Sequence, residues 1–261
     1  MSSVSNNSVS IKPIVIANWK MHGSRRDSRN FVVNFSSLVS ENNKLACDIV
    51  ICPPVTLISE LRDVLYESSI SLGGQDSHYE VSGPYTGNVS ATMLADVGCT
   101  FVILGHSERR TLHFESNDIV ARKASTALNA GLSVILCVGE DENQRRTGDE
   151  LKIVGNQLKN SLPMEANENN VIIAYEPLWA IGSGQIPSIT QIQEMTNQIR
   201  ESFNLLLGCN PEKLRVLYGG SVKPENAGQI LSISGVNGAL VGGSSLSVND
   251  FWDICAHYKE K

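Results

Sequence analysis

The stretch VIIAYEP, Val171 to Pro177, is a run of apolar residues that gives way without transition to a carboxylate and a proline. It shows no alternation of apolar and polar side chains, so it does not suit a strand with one wet face. A strand buried on both faces, as in a parallel sheet, reads this way. Seven further runs share the pattern: IVIAN (14–18), DIVICPP (48–54), ISLGGQD (70–76), FVILGHS (101–107), SVILCVG (133–139), RVLYGG (215–220) and GALVGG (238–243). Each closes on glycine, proline or a polar residue.

Between the runs, apolar side chains recur at helical spacing: Phe31, Phe35 and Leu38; Leu151, Val154 and Leu158; Ile192, Met195 and Ile199. These stripes read as core faces and carry no functional meaning. The segment after Asp76 differs, because HYEVSGPYTGNVS is a long turn-rich loop that leaves room only for a short helical patch. Strand then helix, eight times over in 261 residues, predicts the α/β class and a closed (βα)8 barrel. An open doubly wound sheet is the rival, but its phosphate fingerprint belongs at the first strand-to-helix turn, and ANWKMHGS holds no GxGxxG. No Pro/Ser-rich linker or charge block divides the chain. Residues 1–261 are therefore expected to form one barrel domain, with 1–12 a short polar N-terminal extension.

Hydrophobic residues at 41% and charged residues at 18% are the profile of a globular protein. The formal charge of −6, with no Lys/Arg run, argues against a nucleic-acid surface, and an anionic substrate would need a local positive site. Cys47, Cys52, Cys99, Cys137, Cys209 and Cys255 form no CxxC pair and have no histidines at zinc spacing, which reads as free thiols in a reducing compartment and no metal. The polar N-terminus MSSVSNNSVSIKP lacks a signal segment, and no run of about 18 apolar residues exists to span a membrane. A cytoplasmic protein is the expectation.

In a barrel, functional groups gather where strands end. Asn18 and Lys20 follow the first run, His106, Ser107 and Glu108 the fourth, and Glu176 the sixth; Gly219, Gly220 and Ser221 follow the seventh, and Gly242 and Gly243 the eighth. Taken singly these are a rim lysine, a structural histidine, a helix-start carboxylate and turn glycines. Five clusters facing one mouth are another matter, and the last two occupy the place where such barrels hold phosphate on backbone N–H groups. GHSER lacks the final glycine of a GxSxG elbow, GSG at 182–184 is too short for a dinucleotide loop, and GxxxxGK[ST] and HExxH are absent. What remains is one carboxylate base, one imidazole, one lysine and a phosphate cradle. That set suits proton transfer on a small phosphorylated carbonyl compound. An aldolase using Lys20 as a Schiff base, or a non-catalytic phosphate-binding barrel, would share parts of it.

ANWKM (17–21), SGPYTG (82–87), LGHSERR (104–110), AYEPLWAIGSG (174–184), YGGSV (218–222) and LVGG (240–243), in this order from the first strand to the last, resemble the triosephosphate isomerase family. That family is itself a reference case for pKa tuning and lid closure. The resemblance implies a TIM barrel and a cofactor-independent isomerase. Such an enzyme interconverts dihydroxyacetone phosphate and D-glyceraldehyde 3-phosphate through an enediolate, in glycolysis and gluconeogenesis. It implies Glu176 as the base and His106 as a neutral imidazole serving the substrate oxygens. Lys20 would be the fixed positive charge, and Asn18 a donor to the oxyanion. Glu108 would pair with or orient Lys20, and Ser107 would sit beside the resting Glu176. Phosphate would be held by backbone N–H groups of Gly182, Gly242 and Gly243 with Ser221, and Pro177, Leu178, Trp179, Ala180, Ile181, Gly182, Ser183 and Gly184 would form the lid.

The resemblance also implies a homodimer, with the loop containing Thr86 inserted into a second subunit so that Thr86 approaches the partner's Asn18. The chain departs from the family pattern at named places. Asn88 stands where a glutamate is frequent, which leaves Glu115 as the partner for Arg109 within the chain. Ser183 replaces a threonine. Pro187 falls near the backbone N–H that family members offer to the tyrosine of YGG; proline has none, so Tyr218 must find another partner. The far hinge, Gln185 to Pro187, is thus the least familiar part of the lid.

Overall fold

A computed structural model of the chain describes residues 11–42, 45–181 and 185–260. Eight parallel strands close into a barrel in chain order: β1 (Ile14–Asn18), β2 (Asp48–Cys52), β3 (Ser71–Gly74), β4 (Phe101–Leu104), β5 (Ser133–Val138), β6 (Val171–Tyr175), β7 (Val216–Tyr218) and β8 (Gly238–Val241). The last pairs with the first, Ile14 opposite Gly238. All eight apolar runs are strands, as predicted, and all but β1 and β3 stop before their glycine, proline or polar tail. Those tails leave the ladder to form the mouth.

The lack of alternation has a direct cause. Ile14, Ile16, Val50, Cys52, Ile103, Ile135, Cys137, Ile172, Leu217 and Leu240 pack together inside the barrel. Their strand neighbours Val15, Ala17, Ile49, Ile51, Val102, Val134 and Val216 pack outward against the helices. Both faces of each strand are dry, so both are apolar. Where β8 closes on β1, Gly238 has φ +140° and any side chain there would strike the carbonyl of Ile14, so only glycine fits.

The predicted helical stripes lie in α1 (Arg25–Glu41), α7 (Glu150–Ser161) and α8 (Ile189–Leu207). In α1 the buried face runs through Phe31, Val32 and Phe35, and Leu38 is only half-buried because the stripe drifts off the core toward the helix end. Helix starts are marked by side-chain caps: Ser24, Ser116 and Ser188 each accept a hydrogen bond from a backbone N–H in the first turn. The turn-rich segment after β3 carries only the six-residue α3 (Ala91–Asp96).

Candidate active site

The tails of β1, β4, β6, β7 and β8 surround a cavity of about 270 Å³ lined by Asn18, Lys20, His106, Glu176, Gly219, Gly220, Ser221, Gly242 and Gly243, among others. A larger hollow of about 540 Å³ lies away from these tails, between α1 and residues 64–69; half of its wall residues are serines, and none of the strand-end groups reaches it.

Glu176 is the first residue past β6 and is buried, with 2% of its surface exposed. Its carboxylate is held on both oxygens: Oε2 accepts from the backbone N–H of Ser107 at 2.9 Å, and Oε1 lies 2.9 Å from Nε2 of His106. Gly219 makes room for it, since a Cβ there would sit 2.9 Å from Cγ of Glu176.

His106 caps α4 (Ser107–Leu112), and its Nδ1 accepts the backbone N–H of Glu108 at 3.2 Å. With Nδ1 an acceptor, the ring proton sits on Nε2 and is given to Glu176. Burial pushes the imidazole pKa down, but the charge and hydrogen bond of Glu176, followed by the charge of Glu108, outweigh it and leave the pKa raised.

Lys20 adopts φ +52°, an uncommon conformation for a residue with a side chain. Three bonds hold the segment. Its N–H donates to Oδ1 of Asn18 at 3.1 Å, while its carbonyl accepts from Nε2 of Gln75 at 2.9 Å, and the same amide group of Gln75 also donates to the carbonyl of Cys52 at 2.8 Å. The ammonium of Lys20 lies 2.6 Å from Oε1 of Glu108. Burial raises the Glu108 carboxyl, yet the bond from Lys20 and the nearby positive charges hold it below its ordinary value. Beneath Lys20, the buried Trp19 donates its indole N–H to the carbonyl of Ser245 at 3.1 Å, tying the β1 loop to the β8 loop.

On the lid side, Leu178–Ala180 form a 3-10 turn. Its anchor is Glu140, fully buried just beyond β5, whose Oε1 accepts from Tyr175 hydroxyl at 3.0 Å, Trp179 Nε1 at 2.8 Å and Arg145 Nε at 3.1 Å. The Arg145 guanidinium also lies 5.7 Å from the centre of the Trp179 ring. Pro177 and Ile181 are described, with Ile181 on the cavity wall; Gly182, Ser183 and Gly184 lie outside the described residues. Pro187 is buried, and the Tyr218 hydroxyl is buried without a hydrogen-bond partner among the described residues, its pKa pushed up by burial.

Arg109 does pair within the chain, 2.7 Å from Glu115 and 2.9 Å from Asp76, and the buried Lys123 bonds to both acids. Asn18, Lys20, His106, Glu176, Ser221, Gly242 and Gly243 share one cavity, with Ser107 and Glu108 on its shoulder. Gln75 and Glu140 were not among the residues singled out from sequence, although each lies in or next to a polar strand tail, as QD and GED. Among the described residues no group of three or more His, Cys, Asp or Glu could hold a metal ion.

Comparison with known proteins gives one answer. A family model described as triosephosphate isomerase matches residues 13–258. The triosephosphate isomerase of Chelativorans sp. (strain BNC1) is 44% identical over 251 residues, covering 96% of this chain and 98% of that protein. That of Brucella melitensis biotype 1 is 44% identical over 249 residues, covering 95% and 98%. The crystal structure of triosephosphate isomerase from Bartonella henselae aligns with a TM-score of 0.87 at 41% identity, over 95% of this chain and 99% of that one.

Proposed function

The chain belongs to the triosephosphate isomerase family, and from that premise we propose how its own residues perform the reaction. The reaction is the interconversion of dihydroxyacetone phosphate and D-glyceraldehyde 3-phosphate, an aldose–ketose isomerisation that needs no cofactor. The observation that carries the reading is the position of Glu176: a buried carboxylate in one cavity with His106, Lys20 and the glycine tails of β7 and β8.

Glu176 rests on the Ser107 N–H and on His106, two donors it can exchange for substrate. It removes a proton from the carbon next to the carbonyl. The electron pair moves onto the carbonyl oxygen, giving an enediolate, and Glu176 returns the proton to the neighbouring carbon. His106 gives its Nε2 proton to one oxygen and recovers one from the other. It works as a neutral ring because Nδ1 is occupied by the Glu108 N–H, and a second proton there would break that bond. Lys20 supplies a positive charge, and Asn18 a side-chain amide, close to where oxyanion charge develops. Ser221, Gly242 and Gly243 hold the phosphate, joined by Gly182 when the lid of residues 177–184 closes and excludes water.

The enzyme acts as a homodimer. The loop of Ser82–Asn88 is exposed throughout, and Met21, Leu112 and Phe114 are large apolar side chains left open to solvent. Apolar exposure of this kind is what an interface between two copies would cover. Thr86 reaches the partner's Asn18 and so helps complete the site. One barrel domain spans the chain, and it works in glycolysis and gluconeogenesis in the cytoplasm, a setting consistent with six free cysteines. No described helix is long and apolar enough to cross a membrane. Replacing Glu176 with glutamine tests the mechanism: removal of the base should lower turnover on the order of a hundredfold or more.

A further inference from the structure

Lys223 stands two residues past Ser221, at the entry to α9 (Pro224–Leu231), and lines the same cavity as Glu176 and the glycine tails. It is exposed, and it forms no ion pair among the described residues. The other cation of the cavity, Lys20, is already matched by Glu108 at 2.6 Å. Counting Glu176, the groups at the mouth would present a net negative charge without Lys223, on a chain whose formal charge is −6. A phosphorylated triose carries about two negative charges near neutral pH. Such a substrate would meet repulsion on approach unless an uncompensated cation stood at the phosphate end.

We propose that Lys223 is that cation: a substrate-recruiting residue that draws the phosphate dianion to the cradle of Ser221, Gly242 and Gly243. The proposal rests on the isomerase reading above. Lys223 acts through its field on an anion still in solvent, so its effect belongs to encounter and binding and must fade with salt. The field reaches about 30 Å at 10 mM ionic strength and about 8 Å at 150 mM. A structural role is separable. The bond that Lys223 gives α9 comes from its backbone N–H to Oδ1 of Asn226 at 2.8 Å, and any non-proline residue keeps it.

The test compares wild type with Lys223→Ala and Lys223→Arg on glyceraldehyde 3-phosphate and on glyceraldehyde, which has no phosphate. At ~10 mM ionic strength, Lys223→Ala should lose about fivefold in kcat/KM on the phosphorylated substrate, mostly through KM, and the deficit should shrink below about twofold near 200 mM. Lys223→Arg should stay close to wild type, and with glyceraldehyde Lys223→Ala should match wild type at either salt. Equal kcat/KM for Lys223→Ala and wild type at low salt overturns the proposal. So does a deficit that persists at high salt, one that is as large on glyceraldehyde, or one that arginine does not repair. A wild-type enzyme inactive on glyceraldehyde 3-phosphate would instead overturn the isomerase reading, whatever Lys223 does.

Discussion

Glu176 and His106 hold one another in the resting site, and each sets the other's chemistry. The carboxylate raises the histidine pKa against the downward pull of burial, so a histidine isolated from Glu176 should titrate lower. In Glu176→Gln the NMR midpoint of His106 should move to lower pH than in wild type; an unchanged or higher midpoint would mean that the carboxylate is not the cause. The stability follows the same sign. A raised folded-state pKa contributes stability that is full below the ordinary histidine value and is lost as pH rises through the raised one, and the variant should lack it. Gly219 is the other residue on which this pair depends. Gly219→Ala would put a Cβ 2.9 Å from Glu176 Cγ and 3.1 Å from the Tyr175 carbonyl, displacing the proposed base. The expected loss in kcat is about tenfold to a hundredfold, with circular dichroism near wild type. Wild-type kcat would show that the base tolerates the shift.

The elements that matter most are the turns between strand and helix. Glu140 gathers Tyr175, Trp179 and Arg145 onto one buried oxygen, so Glu140→Ala would remove the acceptor these three donors share, while Arg145 keeps its ion pair with Glu150 at 2.9 Å. Denaturant melts should show a loss of about 2 kcal/mol or more; a loss under about 1 kcal/mol would contradict the anchor. Tyr218 offers the opposite case. Its buried hydroxyl has no partner among the described residues, and Pro187 brings no N–H, so Tyr218→Phe should be as stable as wild type or more so, and a clear destabilisation would reveal a partner. The sequence made the strands easy to read, because a barrel strand is apolar on both faces and its run breaks sharply at the mouth. It also made visible the groups proposed to meet substrate, since Lys20, His106 and Glu176 end such runs. Gln75 and Glu140 were not legible as functional, because they act through backbone carbonyls and through neighbouring side chains. Such contacts depend on the crossing of distant loops and leave no spacing to count.

At the scale of the whole molecule, the chain leaves Met21, Val81, Tyr85, Leu112 and Phe114 exposed around loops that border the mouth. Phe114 also holds φ +55°, an outlying conformation for a bulky residue that a partner surface would help fix. Analytical ultracentrifugation at micromolar concentration should therefore find a mass of two chains, and a monomer would contradict the proposed assembly. The internal pairing of Arg109 with Glu115 and Asp76 means that the proposed dimer would not need the ion pair that a glutamate at position 88 would supply. The barrel itself supplies rigidity, with five clusters from five separate strand ends fixed around one cavity. If Glu176 is the base of this isomerase, its loss must show in the turnover of Glu176→Gln in a coupled assay with either triose phosphate. kcat should fall about a hundredfold or more with the fold intact, and turnover near wild type would show that Glu176 is not the base.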